Sequence, residues 1–248
     1  MKYLYLSIFF IIANQIKASP LLQCPSLYYQ SDGSSVCKYH GTTAMIYSAI
    51  NYDVENLNDG TFARYDHNCT HFASQVILAG FTERTTRSEL YALKEQYSAD
   101  KDDIYSWFYQ TKWQTGNAWK EAHSLYLYAK YSAEYDPGPV YLEAGPKFKY
   151  VTEDSQTTYM DHEKIKVGDI IFADYEQPQY AKTIDGHMDH VYIVTKLQLW
   201  RSGYSAIRVS ANSEDHFDKS LGEINLKYKT KINFTVFRPL AYVSKVPN

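Results

Sequence analysis

The chain has 248 residues, 45% of them hydrophobic and 21% charged, a balance that fits a globular protein and excludes a disordered or collagen-like one. Its 25 Lys+Arg against 28 Asp+Glu give a net charge of -3, so there is no basic surplus to neutralise phosphates and no nucleic acid is expected as a partner. The 25 tyrosines are spread along the whole chain, which suits ring packing first and a ring-lined polar cleft second.

The first residues read as an address. Lys2 precedes an apolar run over residues 3–13, then polar Asn14-Gln15 and the small pair Ala18-Ser19 before Pro20. That pattern predicts a secretory signal peptide over residues 1–18, cut after Ala18, with an apolar run too short to span a bilayer. A lipoprotein processed at Cys24 is less favoured, because Leu21-Leu22-Gln23 lacks the small residue such processing needs. The expectation is a secreted or periplasmic protein with no stable membrane insertion after signal removal and one domain over residues 19–248. Loss of Lys2 and Lys17 takes its charge from -3 to -5.

Cys24 and Cys37 flank a short irregular stretch that a disulfide would close, which leaves Cys69 as the odd thiol of an exported chain. Such a thiol is a buried small hydrophobe, a bridge to a second chain, or a reactive group. Residues 42–51 have helical spacing, and Asn58-Asp59-Gly60 marks a turn after them. The passage from Tyr65 to Gly80 then predicts a helix with Phe72, Val76 and Ala79 on one face, Asn68 or Asp66 capping its start and Gly80 ending it in left-handed backbone. Cys69 falls in the first turn of that helix, where unpaired N–H groups and the positive dipole end favour a thiolate. A zinc reading of His67, Cys69 and His71 is poor, since no second Cys/His pair accompanies them.

Beyond this helix, Leu90 to Tyr97 and Glu121 to Lys130 have helical character, the latter with Ala122, Leu125, Tyr126 and Ala129 on one face. Trp107, Trp113 and Trp119 lie between them in a Tyr-rich stretch that favours packing over a substrate subsite. Residues 137–146 are a loop within the domain. Residues 165–172 read as a turn and a strand. Residues 186–195 give a strand with His190, Tyr192 and Val194 on one face and Val191, Ile193 and Thr195 on the other. A third strand over 205–212 ends at Asn212, before a polar run that includes Asp215 and His216, and Lys231 to Phe237 is a further strand. Asn68-Cys-Thr70 and Asn233-Phe-Thr235 are glycosylation sequons; a glycan at Asn68 would crowd Cys69.

Cys69-Thr-His-Phe72-Ala-Ser74-Gln75, with Ala79-Gly80 after it, resembles the nucleophile motif of the putative amidase domain family, usually Asp-Cys-Thr-Asn-Phe-x-Ser-Gln. Here Asn68 stands in place of the Asp and His71 in place of the Asn. Val167-Gly168-Asp169 and the strand opened by His190 follow in the same order as in that family, and Trp113 with Asn117-Ala118-Trp119 is similar to its Trp-rich passage. The resemblance implies an α+β fold with a papain-like or NlpC/P60-like core, in which a nucleophile helix packs on an antiparallel sheet. It implies a cysteine hydrolase acting on a peptide or peptidoglycan-type amide, without a cofactor or metal. Cys69 would be the nucleophile, His190 the base with His187 in reserve, and Asn212 the residue orienting the imidazole, with Asp189, Asp215 and His216 as substitutes. The Cys69 N–H, helped by Asn68 or Gln75, would hold the oxyanion, Gln75 being more readily structural. The changes at Asn68 and His71 also suit a secreted binding or effector protein that keeps the fold without the chemistry.

Overall fold

The computed structural model of the protein describes residues 24–29, 35–52, 61–65, 68–93, 107, 109–134, 145–154, 160, 162–176, 184–198, 200–212, 216–228 and 231–244. The expected signal peptide, the turn at 58–60 and Asp215 lie outside them. The described residues form strands β1 (Leu27–Tyr29) and β2 (Ser35–Lys38), helices α1 (Gly41–Asn51), α2 (Cys69–Thr82) and α3 (Arg87–Ala92), and a small hairpin, β3 (Tyr109–Thr111) and β4 (Gln114–Thr115). Helices α4 (Asn117–Lys120) and α5 (Ala122–Glu134) follow, then strands β5 (Gly145–Asp154), β6 (Ile170–Tyr175), β7 (His190–Leu197), β8 (Ile207–Ala211) and β9 (His216–Ser220), helix α6 (Leu221–Tyr228) and strand β10 (Ile232–Ser244). Cys24 and Cys37 form a disulfide, tying the segment before β1 to β2.

The main sheet runs β1-β2-β10-β6-β7-β8-β9, every pair antiparallel, with β5 also on β10. Strand β10 changes neighbour along its length. Ile232 to Phe237 pair with β6, and Ala241 to Ser244 pair with β2. The register against β5 shifts between Pro239 and Ala241, at the residue that has no N–H to give a ladder.

Alternation along the strands splits the core in two. Ile170, Phe172, Val191, Ile193 and Phe237 face a layer that includes Ala44 and Tyr47 of α1, Phe72 and Val76 of α2, and Leu125 of α5. Ile171, Tyr192, Val194, Val209 and Phe234 face Leu221 and Ile224 of α6 and Tyr204 on the other side. The expected arrangement, a helix opened by Cys69 and packed on an antiparallel sheet, is therefore present. All fourteen residues of α2 are buried, which its short polar side chains and run of Ala, Val, Ile and Leu permit.

Gly80 corrects the expected helix end. It lies inside α2, which runs on to Thr82, and the left-handed residue is Glu83 at φ 56°. The glycine is required for a different reason: a Cβ there would lie 2.2 Å from Cε2 of Tyr39. That ring packs edge-on to Phe81, and its hydroxyl donates to the Gly168 carbonyl at 2.9 Å. Gly168 itself has φ +87° and meets Gly41 so closely that neither tolerates a side chain. The next residue, Asp169, is buried and takes a two-pronged ion pair from Arg238, Nε at 2.7 Å and Nη2 at 2.8 Å, so the turn into β6 is bolted to β10.

These contacts set the sign of one substitution. Gly80→Ala in an ordinary helix interior stabilises by up to about 1 kcal/mol. Here it displaces Tyr39, so urea unfolding of the variant should show a loss of roughly 1–3 kcal/mol.

Candidate active site

Cys69 is the first residue of α2, and the first intrahelical bond, from the Phe72 N–H to the Asn68 carbonyl at 2.9 Å, leaves the N–H groups of the opening turn outside the helix's own ladder. The cysteine is in no disulfide and is 3% exposed. Thr70 Oγ1 lies 3.7 Å from its sulfur.

Of the two expected caps of this helix, Asp66 lies outside the described residues and the Asn68 side chain makes no cap bond. It turns instead to the end of β8, where its Nδ2 donates to Oδ1 of Asn212, while its own Oδ1 accepts from the Tyr65 N–H at 3.4 Å. Asn212 Nδ2 donates in turn to the carbonyl of Tyr52, just past α1. Two buried amides thus join the end of α1, the tip of α2 and the end of β8. Asn68 is too buried to carry a glycan in the folded chain, and Asn233 lies near the start of β10, opposite Asp174.

The motif residues that follow Cys69 have structural partners. Phe72 is in the core. Ser74 Oγ donates to the Trp119 carbonyl at 3.0 Å and accepts from Trp107 Nε1 at 3.1 Å. Gln75 Oε1 accepts from the Tyr47 hydroxyl at 2.7 Å, which ties α2 to α1. Trp107 and Trp119 pack at 4.7 Å as expected of a packing cluster, whereas Trp113 is 81% exposed.

His71 sits in a box of rings made by Phe62, Tyr65, Tyr109 and Trp119. Its Nδ1 accepts from Trp119 Nε1 at 2.7 Å, and burial, with Arg87 adding to it, pushes the imidazole down to about 3. It is neutral at any ordinary pH, with the proton on Nε2. Two residues along a helix from Cys69, it points to a different side.

The residues expected to serve as the base lie elsewhere. The alternation read from the sequence holds, and His190 shares a face with Tyr192 and Val194; that face is the one turned to α6. His190 pairs with Ala173, and its ring packs edge-on to Tyr192 at 4.4 Å, whereas α2 packs on the opposite face through Val191 and Ile193. The His190 ring therefore lies on the sheet face turned to α6. A period-two pattern separates the two faces of a strand but does not say which one a distant helix covers. His187 is exposed and stacks at 4.2 Å on His123 of α5, and its N–H donates to Asp185. Asp189 Oδ2 accepts from the Tyr175 N–H at 3.0 Å. Among the described residues, no group of three or more His, Cys, Asp or Glu is arranged to hold a metal, and no helix is long and apolar enough to cross a membrane.

An all-antiparallel sheet with a cysteine-opened helix laid across it, held at its tip by buried amides, defines a mixed α/β protein with a candidate thiol site. The model of the putative amidase domain family matches residues 38–237, and the chain belongs to that family. No curated protein and no solved structure is found similar to it. The match runs from the end of β2 into β10 and so takes in Cys69, Gly168-Asp169, His190 and Asn212.

His71 gives the fold a pH dependence whose sign follows from its lowered value. The unfolded chain binds a proton near 6.5 and the folded chain does not until about 3, so this contribution is complete above 6.5 and is lost as pH falls through that window. Urea unfolding should show wild type losing about 2 kcal/mol more between pH 7 and pH 5 than His71→Gln, which removes the titrating group.

Proposed function

We propose that the protein is an exported amide hydrolase in which Cys69 is the nucleophile, working on a papain-like arrangement of helix and sheet. The reading rests on family membership, which implies an amide substrate, and above all on the position of Cys69 as the first residue of a wholly buried helix. The Cys24–Cys37 disulfide suits an oxidising compartment, in keeping with the signal peptide read at residues 1–18.

The chemistry follows from the tip. An ordinary thiol near 8.5 is mostly protonated at neutral pH, and the positive end of α2 favours its anion. The thiolate adds to the amide carbonyl carbon, and the oxygen takes the negative charge against N–H groups of the helix's opening turn. An imidazolium then gives its proton to the nitrogen as the C–N bond breaks, the amine leaves, and water hydrolyses the thioester to a carboxylic acid and a free thiol. Asn212 serves this scheme by fixing Asn68 and with it the tip.

His190 is the imidazole of this scheme. Its pairing with Ala173 is the last of the β6–β7 ladder, and turning the first residue of β7 towards α2 works against the bonds that hold Asp189 to β6, from its N–H to the Ala173 carbonyl at 2.8 Å and from the Tyr175 N–H to its Oδ2 at 3.0 Å. A second reading is favoured by the resting position of His190: a secreted binding protein that keeps the family fold and has lost turnover.

Turnover of peptide and cell-wall-fragment amides by wild type, Cys69→Ser, His190→Ala and His187→Ala separates the two. The hydrolase reading expects losses of at least about a thousandfold for Cys69→Ser and His190→Ala, with His187→Ala remaining active. Turnover that survives Cys69→Ser removes the thiol mechanism. Loss confined to Cys69→Ser removes His190 as base, and a wild type that binds these amides without cleaving them supports the second reading.

A further inference from the structure

Four consecutive main-chain N–H groups lead into His190, and each donates to a partner. Gly186 donates to Asp174 Oδ2 at 2.7 Å, His187 to Asp185 Oδ1 at 2.9 Å, Met188 to Nδ1 of His123 at 3.3 Å and Asp189 to the Ala173 carbonyl at 2.8 Å. The acceptors differ in what a proton does to them. A carboxyl group that takes one still accepts through its other oxygen, whereas an imidazole that takes one becomes a donor at both nitrogens. His123, the second residue of α5, also carries the His187 ring, stacked at 4.2 Å with planes 17° apart, a packing that opposes a charge on both rings. The other groups around it are Tyr126 on its own helix, with ring centroids 6.0 Å apart, and Asp185, which draws a proton towards it, with Asp174 and Asp189 in turn acting on the same end of the sheet. Burial first, and His187 second, hold His123 below the ordinary 6.5 against the pull of Asp185.

We propose that His123 is a positioning residue: neutral, it latches the segment before His190 to α5, and protonated, it releases that segment. This rests on the reading of His190 as the imidazole of the hydrolase and adds what governs its position. At rest the segment ends with His190 on the face turned to α6, and Met188 and Asp189 must shift for the first residue of β7 to turn towards α2. A proton on Nδ1 of His123 takes away the acceptor of the Met188 N–H, setting N–H against N–H, and puts a cation face to face with His187. The bond and the stacking are lost together. The bonds of Gly186 to Asp174 and of Asp189 to β6 remain, so the opening is local and the sheet stays intact. The consequence is an enzyme whose imidazole is freer to reach α2 in a mildly acidic medium than in a neutral one.

Two measurements on the full chain test the proposal, each at pH 7.5 and pH 5 in wild type, His123→Asn and His123→Ala. His123→Asn keeps an acceptor oxygen at the place of Nδ1 and has no proton to gain, and His123→Ala has no acceptor at all. The first measurement is hydrogen-exchange protection of the Met188 amide, which requires no turnover. Wild type should lose protection by about tenfold or more between pH 7.5 and pH 5, His123→Asn should keep it at both, and His123→Ala should lack it at both. The second is turnover of a short peptide amide, taken as the ratio to His123→Asn, so that the titrations of Cys69, His71 and His190 common to all three chains cancel. That ratio should rise severalfold for wild type on going to pH 5 and be high at both values for His123→Ala, the gain lying in kcat with KM unchanged. Met188 protection indifferent to pH in wild type, or lost equally in His123→Asn, overturns the latch. A latch that opens while the turnover ratio stays flat overturns its control of His190. Absence of Cys69-dependent turnover together with protection that follows His123 overturns the hydrolase reading and leaves the latch standing.

Discussion

The hydrogen bond between the side chains of Asn68 and Asn212 is the contact on which the site depends. One partner is the residue before the cysteine and the other closes strand β8, and the second amide proceeds to the carbonyl at the end of α1. Both groups are buried, so each left alone would cost a lost hydrogen bond in a medium that does not replace it, on the order of 1–3 kcal/mol. The pair can be satisfied only when the end of α1, the tip of α2 and the end of β8 meet. A helix tip fixed in this way keeps its N–H groups aimed in one direction, which is what a nucleophile and an oxyanion need and what a frayed end cannot supply.

Around that contact most of the family motif serves the frame. Ser74 bridges two tryptophans, Gln75 receives the Tyr47 hydroxyl, Gly168 admits Gly41, and Asp169 holds Arg238. The burial of α2 on all sides explains why so many of its residues are polar and yet specific: with no solvent face, each hydroxyl or amide must meet a defined partner. His71 meets a partner at Nδ1. An imidazole in place of the family's usual Asn stays neutral in a box of rings and accepts one bond from Trp119, a structural solution that gives it no part in proton transfer.

Local features of the chain were legible in its sequence and global ones were not. The helix from Cys69, the strands opening at Ile170, His190 and Ile207, and the inside-outside alternation of β7 follow from spacing and turn chemistry. The short irregular stretch between Cys24 and Cys37 admits a bridge, and the structure has one. Gly80 was misread because a glycine near the end of a helical pattern usually ends it, while its reason to be glycine is the ring of Tyr39, 41 residues upstream. Asn68 reads as a cap locally and is recruited by Asn212, 144 residues away. The face on which His190 lies depends on which side of the sheet receives α2, a choice made by the whole core and by no residue near the strand. Strands β1, β2, β5 and β9 gave no sufficient signal, being short or rich in polar residues at the rim of the sheet.

The central claim, a sulfur ionised by a helix tip that buried amides hold in place, is tested most directly by the pH dependence of Cys69 alkylation by iodoacetamide in wild type and Asn212→Ala. An ordinary thiol reacts about 80 times more slowly at pH 6 than at pH 8. Wild type should differ by less than about tenfold over that range, and Asn212→Ala should move towards the ordinary dependence. A wild-type thiol with the ordinary pH profile, or a profile indifferent to Asn212, would contradict the account.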